Sequence, residues 1–384
     1  MIMNQSGRWQ KIFPLILLTL VAYAGRGQAQ DFQQFASFYK KPQDVKAGEL
    51  NFRFESLGFF QNNEYLGNFV DGYTLPGAMI RPKLTYSPTE ALYIEVGGQL
   101  SKYSGLDQMV NVVPWFSARY RFSERFSSIV GNLDQNNEHG LMEQLWEPER
   151  IFTDAPESGL QFLYSAEKLH MQTWINWEQY IQKYDPFQEH FTLGLTGDYS
   201  VYQNSVLSLK LPVQVLFYHK GGEIDSSDLR VQTHVNVAAG WELAMNLGGE
   251  RLKTINLNGH WLGYKAVTED SNTFPFSKGH AYLLETSVQS RHSVISLSYW
   301  NAFQFIAPKG RFLYQSVSDS DPTFTQADRS VVTAKYFWQK EIAKDARVAF
   351  QIEGFMDVPT GDFSYSYGFY LLFNQDFLIS AIKN

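Results

Sequence analysis

The chain has 384 residues, a formal net charge of −7, no cysteine, and 22 Tyr and 30 Phe. The missing thiols exclude disulfides and thiolate metal sites. A negative balance with no basic stripe excludes a nucleic-acid partner. The length suits one large unit or two, yet no composition shift or Pro/Gly/Ser-rich linker divides it.

Arg8 and Lys11 precede the apolar run Ile12 to Val21, and Ala22, Ala24, Gly27 and Ala29 follow as small residues. That order predicts a secretory signal peptide over 1–29, cut after Ala29. The apolar run is about half the roughly twenty residues that a spanning helix needs. Over 30–47, Phe32, Phe35 and Phe38 recur at a spacing of three, which predicts a short amphipathic turn or helix. This segment reads as a periplasmic lead-in to the first strand, or as a small plug.

From Gly48 onward the chain alternates with period two, the mark of strands with two unlike faces. Between Lys168 and Gln182, Leu169, Met171, Thr173, Ile175, Trp177 and Ile181 share one face. His170, Gln172, Trp174, Asn176 and Glu178 share the other. From Leu207 to Phe217, and again from Leu229 to Leu243, an apolar series opposes a polar one in the same way. Runs this long exceed the usual strand of about five or six residues and match tilted strands crossing a bilayer.

The connections alternate in length. Short turns are predicted near 87–90, 123–125, 166–168, 202–205, 247–251, 290–292 and 344–346. Longer polar loops are predicted near 61–75, 104–109, 133–157, 183–188, 218–228, 266–278, 306–328 and 358–363. This rhythm predicts an all-β fold over 48–384, a transmembrane antiparallel up-and-down β-barrel of about sixteen strands, with 14 to 18 bracketing the count. Both termini then lie on the periplasmic, short-turn side, in the outer membrane of a Gram-negative envelope.

The loop from Leu133 to Ser158 carries Asp134, Glu138, Glu143, Glu147, Glu149, Asp154 and Glu157, with Arg150 as its one Lys or Arg. Inward positions of early strands carry Arg53, Arg81, Lys83, Arg119 and Arg121. In this layout the chain resembles the general diffusion porins. There the third external loop enters the barrel and its carboxylates face a basic cluster on the early strands. The resemblance implies a constriction with Asp134, Glu138, Glu143, Glu147, Glu149 and Glu178 on the acidic side, and Arg53, Arg81, Lys83 and Arg119 on the basic side. Two departures stand beside it: the chain ends Ser380-Ala381-Ile382-Lys383-Asn384 without a terminal aromatic, and it carries the extra N-terminal stretch. The plain alternative is that the acidic loop is a solvated surface and that Arg119 and Arg121 snorkel beside their turn.

Trp115, Trp174, Trp300 and Tyr370 also fall on inward faces, beside Asn176, Glu178 and Gln304. Rings flanked by amides and carboxylates suit sugar stacking, and equally suit filling the wall. Glu138 and His139 are adjacent, as are Glu189 and His190, so on an extended chain each pair points apart. His234 and His260 fall on neighbouring strands among amides, a weak metal candidate. No G-x-S-x-G or H-E-x-x-H pattern appears.

The sequence therefore predicts no enzyme, no cofactor and no metal, but a passive channel for small hydrophilic solutes, saccharides among them. Its partners are outer-membrane lipid and lipopolysaccharide, with a homo-oligomer or an envelope partner protein left open. The rivals are an accessory export or secretion barrel with a blocked lumen, a hydrophobic-substrate transporter, and an outer-membrane hydrolase using His139 or His190.

Overall fold

The computed structural model describes residues 46–381 apart from 108–110, 135–138, 223, 250, 269–272 and 322. The predicted signal peptide and nearly all of 30–47 lie outside those residues. The strands are β1 (Glu49–Glu64), β2 (Tyr73–Tyr86), β3 (Leu92–Tyr103), β4 (Asn111–Arg121), β5 (Phe126–Asn132), β6 (Ser158–Ser165), β7 (Leu169–Gln179) and β8 (His190–Gln203). They continue as β9 (Leu207–Lys220), β10 (Gln232–Asn246), β11 (Thr254–Ala266), β12 (Lys278–Gln289), β13 (Ser293–Phe303), β14 (Asp328–Ala343), β15 (Ala346–Asp357) and β16 (Phe363–Ala381). Each pairs with its sequence neighbours, and β1 closes on β16 from Glu49 opposite Ala381 to Glu64 opposite Tyr365. Closure joins the first and last strands, so the sheet has no terminal edge strand, which is what a bilayer demands of a spanning sheet.

The expected architecture, a closed antiparallel barrel of sixteen strands, is what forms. Several boundaries moved: β1 runs on to Glu64 and β9 to Lys220, into the predicted loops. β7 ends at Gln179, short of Gln182, and β10 begins at Gln232, later than Leu229. Turn chemistry explains the short connections. At 204–206, for example, Asn204 Oδ1 accepts the backbone N–H groups of Val206 and Leu207 at 2.9 and 2.7 Å, an Asx-type turn.

The two faces differ as the alternation requires. Leu84, Val96, Phe116, Leu193, Val213 and Phe377 are exposed on the outer face. Arg53, Glu55, Gln61, Gln161, Gln214, Asn236 and Glu353 are buried on the inner one.

β5 is the irregular member, with only seven residues. Its pairing with β4 runs from Arg121 opposite Ser127 to Ser117 opposite Gly131, whereas β4 continues up to Asn111. The chain leaves the wall there and enters the lumen. Gly131 has φ +96°, and a Cβ on it would sit 2.3 Å from the Phe116 carbonyl oxygen, so no larger residue fits this departure. Asn132 then offers its side-chain Oδ1 to the Phe116 N–H at 2.8 Å, replacing the lost ladder bond.

Candidate functional site

The described residues of two long loops, 133–157 and 304–327, fold into the barrel and pack against each other. The first contains the short helix α1 (Arg150–Thr153) and the second a single 3-10 turn at Phe312–Tyr314. Leu141, Met142, Leu145 and Trp146 of one pack with Phe305, Ile306, Leu313 and Tyr314 of the other. Wall residues Trp174, Leu216, Leu262, Trp300 and Phe355 complete this buried core. An apolar core in mid-lumen is a plug.

The wall grips the plug by its backbone. Gln172 Nε2 and Thr196 Oγ1 each donate to the His139 carbonyl at 2.6 Å. Gln214 donates to the Gly140 carbonyl at 3.0 Å and accepts the Met142 N–H at 3.0 Å. Asn236 Nδ2 donates to the Ile306 carbonyl at 2.7 Å. Loop backbone is tolerated at membrane depth only when its polar groups are satisfied in this way.

At the centre of the plug sits Arg311, 3% exposed. It meets Glu143 at 2.9 Å, Glu147 at 3.1 Å, Glu353 of β15 at 3.0 Å and Glu149 at 3.9 Å. Lys335 of β14 joins Glu143 and Glu353 at 2.5 and 3.0 Å. Tyr73 Oη donates to Glu149 at 2.6 Å, and Asn63 Nδ2 donates to it at 3.0 and 3.1 Å. Burial would lower the Arg311 pKa, but Glu147, Glu353 and Glu143 hold it well above its ordinary value. Burial, reinforced by Glu147 and opposed by Arg311, pushes the Glu149 carboxyl up to about 7.

The predicted acidic residues thus divide. Glu143, Glu147 and Glu149 do enter the lumen, but their cations are Arg311 and Lys335, not the basic residues of the early strands. Glu178 pairs with Lys309 of the second loop. Asp134 alone reaches an early-strand cation, Arg119, at 2.5 Å. Glu138 lies outside the described residues.

The early-strand cations are occupied along the wall. Arg53 binds Asp376 and Glu95 at 2.6 and 3.2 Å, and Lys83 binds Glu55 and Glu95 at 3.0 and 3.3 Å. Arg81 donates to Gln99 at 2.6 Å and lies over the Trp115 ring at 5.2 Å. Inward residues on paired strands sit about 5 Å apart, so they find each other before any loop arrives.

The tryptophans point inward as expected, but their rings are covered. Trp115 carries Arg81 and Lys83 over its ring and donates to Glu95 at 3.0 Å. Trp174 stacks on His139 with centroids 3.8 Å apart. Trp300 meets Phe305 and Tyr314 edge-on and donates to the Tyr314 carbonyl at 2.9 Å. No sugar face remains on them.

The histidines also sort differently from their sequence neighbours. His139 pairs with Glu157, at the far end of its own loop, at 2.6 Å. It is buried with φ 44°, a backbone position uncommon for a side-chain-bearing residue. His234 faces Tyr264 at 3.2 Å, while His260 stands opposite Gly240 lower in the ladder, so the two do not meet. Among the described residues no group of three or more His, Cys, Asp or Glu is placed to hold a metal ion. His190 opens β8.

One pair lies on the outer face, where sequence reasoning assigned no chemistry. His219 of β9 is directly opposite Thr233 of β10, and His219 Nδ1 lies 2.9 Å from Thr233 Oγ1. Phe191 of β8 stacks on the imidazole with centroids 4.7 Å apart, and Trp177 of β7 follows at 5.9 Å from Phe191. Trp177 Nε1 donates to Glu189 at 2.7 Å. The row sits one or two residues from the long-loop end of its strands. Both His219 and Thr233 are half-buried.

The sequence model of the lipid A 3'-O-deacylase-type family matches residues 41–382. The chain belongs to that family. The expectation of no enzymatic role is thereby corrected, because this deacylase-type family is an enzyme family. No curated protein matches the chain. Solved structures match across nearly the whole barrel at low identity. OprD from Pseudomonas aeruginosa aligns at 8% identity and TM-score 0.50, covering 92% of this chain and 98% of that one. A loop-deletion form of OmpT from Vibrio cholerae aligns at 10% and 0.51, covering 86% and 100%. OpdL from Pseudomonas aeruginosa aligns at 12% and 0.51, covering 85% and 99%. These likenesses bear out the porin-like barrel as a fold, and a fold alone does not fix function.

Proposed function

We propose that the protein is an outer-membrane acyl-ester hydrolase that works on its lipid-facing wall, with an acylated glycolipid of the lipid A kind as substrate. The observation that carries this reading is the 2.9 Å imidazole–hydroxyl pair of His219 and Thr233 on the outer face, on a barrel whose lumen is packed. A membrane lipid presents its esters at the boundary between head group and acyl chain. The rim of the apolar wall meets that boundary, and a buried lumen does not.

In the reaction, Thr233 Oγ attacks the ester carbonyl carbon while its proton passes to His219 Nδ1. The sugar oxygen leaves as the C–O bond breaks and takes that proton. Water, deprotonated by the same imidazole, then releases the fatty acid and restores the threonine hydroxyl. The stacked Phe191 fixes the ring plane, as an activated nucleophile requires of its base.

The long loops then face outward and the short turns face the periplasm, after export by the 1–29 signal segment. Refolded protein in vesicles containing lipopolysaccharide is expected to release free fatty acid. His219→Ala and Thr233→Val should each lower the rate by about a hundredfold or more. Undiminished release in both variants refutes the assignment.

A second reading is favoured by the cavities on either side of the first inward loop. A cavity of about 670 Å³ is lined in part by His139, and one of about 240 Å³ by Glu157. In that reading displacement of the loop at the His139–Glu157 contact opens a channel for small hydrophilic solutes. Planar-bilayer recordings test it: voltage-independent current steps support the channel, and silence across a wide voltage range refutes it.

A further inference from the structure

The larger cavity lies below the plug and runs to the short-turn end of the barrel, where Ser208, Ala244 and Ser296 line it. Its volume of about 670 Å³ falls within the roughly 300–1,000 Å³ usual for ligand sites. Its wall on β9 to β13 is built as two parallel rows of directly opposed inward residues. The upper row runs Lys210, Glu242, Asn258, Glu285. The lower row runs Ser208, Ala244, Asn256, Ser287, Ser296 through the same pairings.

Neighbouring residues in such a ladder stand about 5 Å apart, close to the spacing of hydroxyl groups around linked pyranose rings. The upper row alternates donor, acceptor, amide and acceptor. The lower row adds hydroxyls and an amide, with Asn256 Nδ2 donating to Ser287 Oγ at 3.0 Å. Just above, the His260 side chain is 7% exposed, and its Nδ1 is a buried polar atom with no hydrogen-bond partner among the described residues. The His260 ring lies over Gly240 opposite it, where a Cβ would sit 2.6 Å from His260 Cδ2.

The lining selects among ligand classes. At this end three carboxylates, Asp198, Glu242 and Glu285, stand beside a single lysine, Lys210, which opposes an inorganic anion. Among the described residues no three carboxylates or imidazoles converge as a bound dication needs. Each of the three carboxylates has a partner, Lys210, His260 and Asn258 respectively, and the lower row is uncharged, so its hydroxyls and amide suit a neutral polyhydroxylated molecule. We propose that this vestibule binds a neutral saccharide from the short-turn end. The site is at the opposite end of the barrel from His219 and Thr233, so it stands whether or not the hydrolase reading does.

The test is calorimetric titration of the full-length refolded protein in a polyoxyethylene detergent, which carries no sugar head group. The probes are maltotriose, cellotriose and chitotriose, with inorganic phosphate and spermidine as controls. Saturable heat is expected with at least one trisaccharide and with neither control. Asn258→Ala should weaken that affinity by about tenfold, roughly 1.4 kcal/mol, and Ser287→Ala by less. His219→Ala should bind the sugar as the parent does. Heat-modifiable gel migration confirms that each variant is folded, and Ser287→Ala serves as the second probe should Asn258→Ala fail to close its barrel. No saturable heat with any trisaccharide, saturation by phosphate or spermidine alone, or undiminished affinity in Asn258→Ala and Ser287→Ala overturns the proposal.

Discussion

Replacing Arg311 by Met tests how the lumen is held shut. The guanidinium is 3% exposed and bonds Glu143, Glu147 and Glu353 at 2.9 to 3.1 Å. Methionine keeps much of the apolar volume but leaves these carboxylates with Lys335 as their remaining cation. Breaking a buried ion network by removing one member costs about 3–5 kcal/mol, because the surviving charges stay desolvated and unpaired. The loop from 304 to 327 also loses the Arg311 side-chain ties to Glu143 and Glu147, while Tyr314 Oη to Glu143 and the backbone bonds between the two loops remain. Urea unfolding in detergent, followed by tryptophan fluorescence, should therefore show a lower midpoint, and planar-bilayer recording should show more frequent current steps than in the parent. Adding Glu147→Gln should recover part of the loss, since contacting members of one network are not additive. An unfolding free energy within about 1 kcal/mol of the parent, together with an unchanged frequency of current steps, would refute the reasoning that Arg311 latches the plug.

Other outcomes follow from individual residues. The folded protein holds a proton on Glu149 up to about pH 7, against an ordinary value of 4.5. Stability from this group is therefore fullest below the ordinary value and falls as pH rises towards 7. Glu149→Gln should flatten that slope and gain on the order of 2 kcal/mol relative to the parent at pH 8, and a parallel pair of pH curves would contradict it. Gly131→Ala combines a positive φ with a Cβ 2.3 Å from the Phe116 carbonyl. It should cost about 2 kcal/mol or more and lower the yield of closed barrel on a gel; a normal yield and midpoint would count against the account of β5. Trp174→Ala removes the ring stacked on His139 at 3.8 Å and should cost about 3–5 kcal/mol, read as a urea midpoint, whereas a near-neutral result would mean the plug is not packed there.

Much of the wall was legible in the sequence, because a strand's two faces are written every second residue. The series Leu207, Leu209, Leu211, Val213, Val215 and Phe217 marks the outer face of β9 without help from anything distant. Loop lengths likewise gave the hairpin order. The interior of the lumen was less legible, since a loop's route depends on what it meets across the barrel. Acidity in 133–157 marked that loop, yet the cations of its buried carboxylates, Arg311 in 304–327 and Lys335 in β14, lie more than 150 residues away. The only local signal was a cation, Arg311, in the other of the two longest loops, and the acidic residues of that same loop mask it. The rim pair left a fainter one: His219 and Thr233 are polar residues placed next in line on outer faces that are otherwise apolar. Period-two reading treats such positions as frayed strand ends, and only the register of β9 against β10 brings them together.

The central claim is that ester chemistry takes place on the wall at His219 and Thr233. The most direct measurement is mass-spectrometric analysis of lipopolysaccharide after incubation with the refolded parent and with His219→Ala. The account predicts lipid lacking one acyl chain, together with the matching free fatty acid, for the parent and intact lipid for the variant. Intact lipid with the parent, or equal deacylation by both proteins, would contradict it.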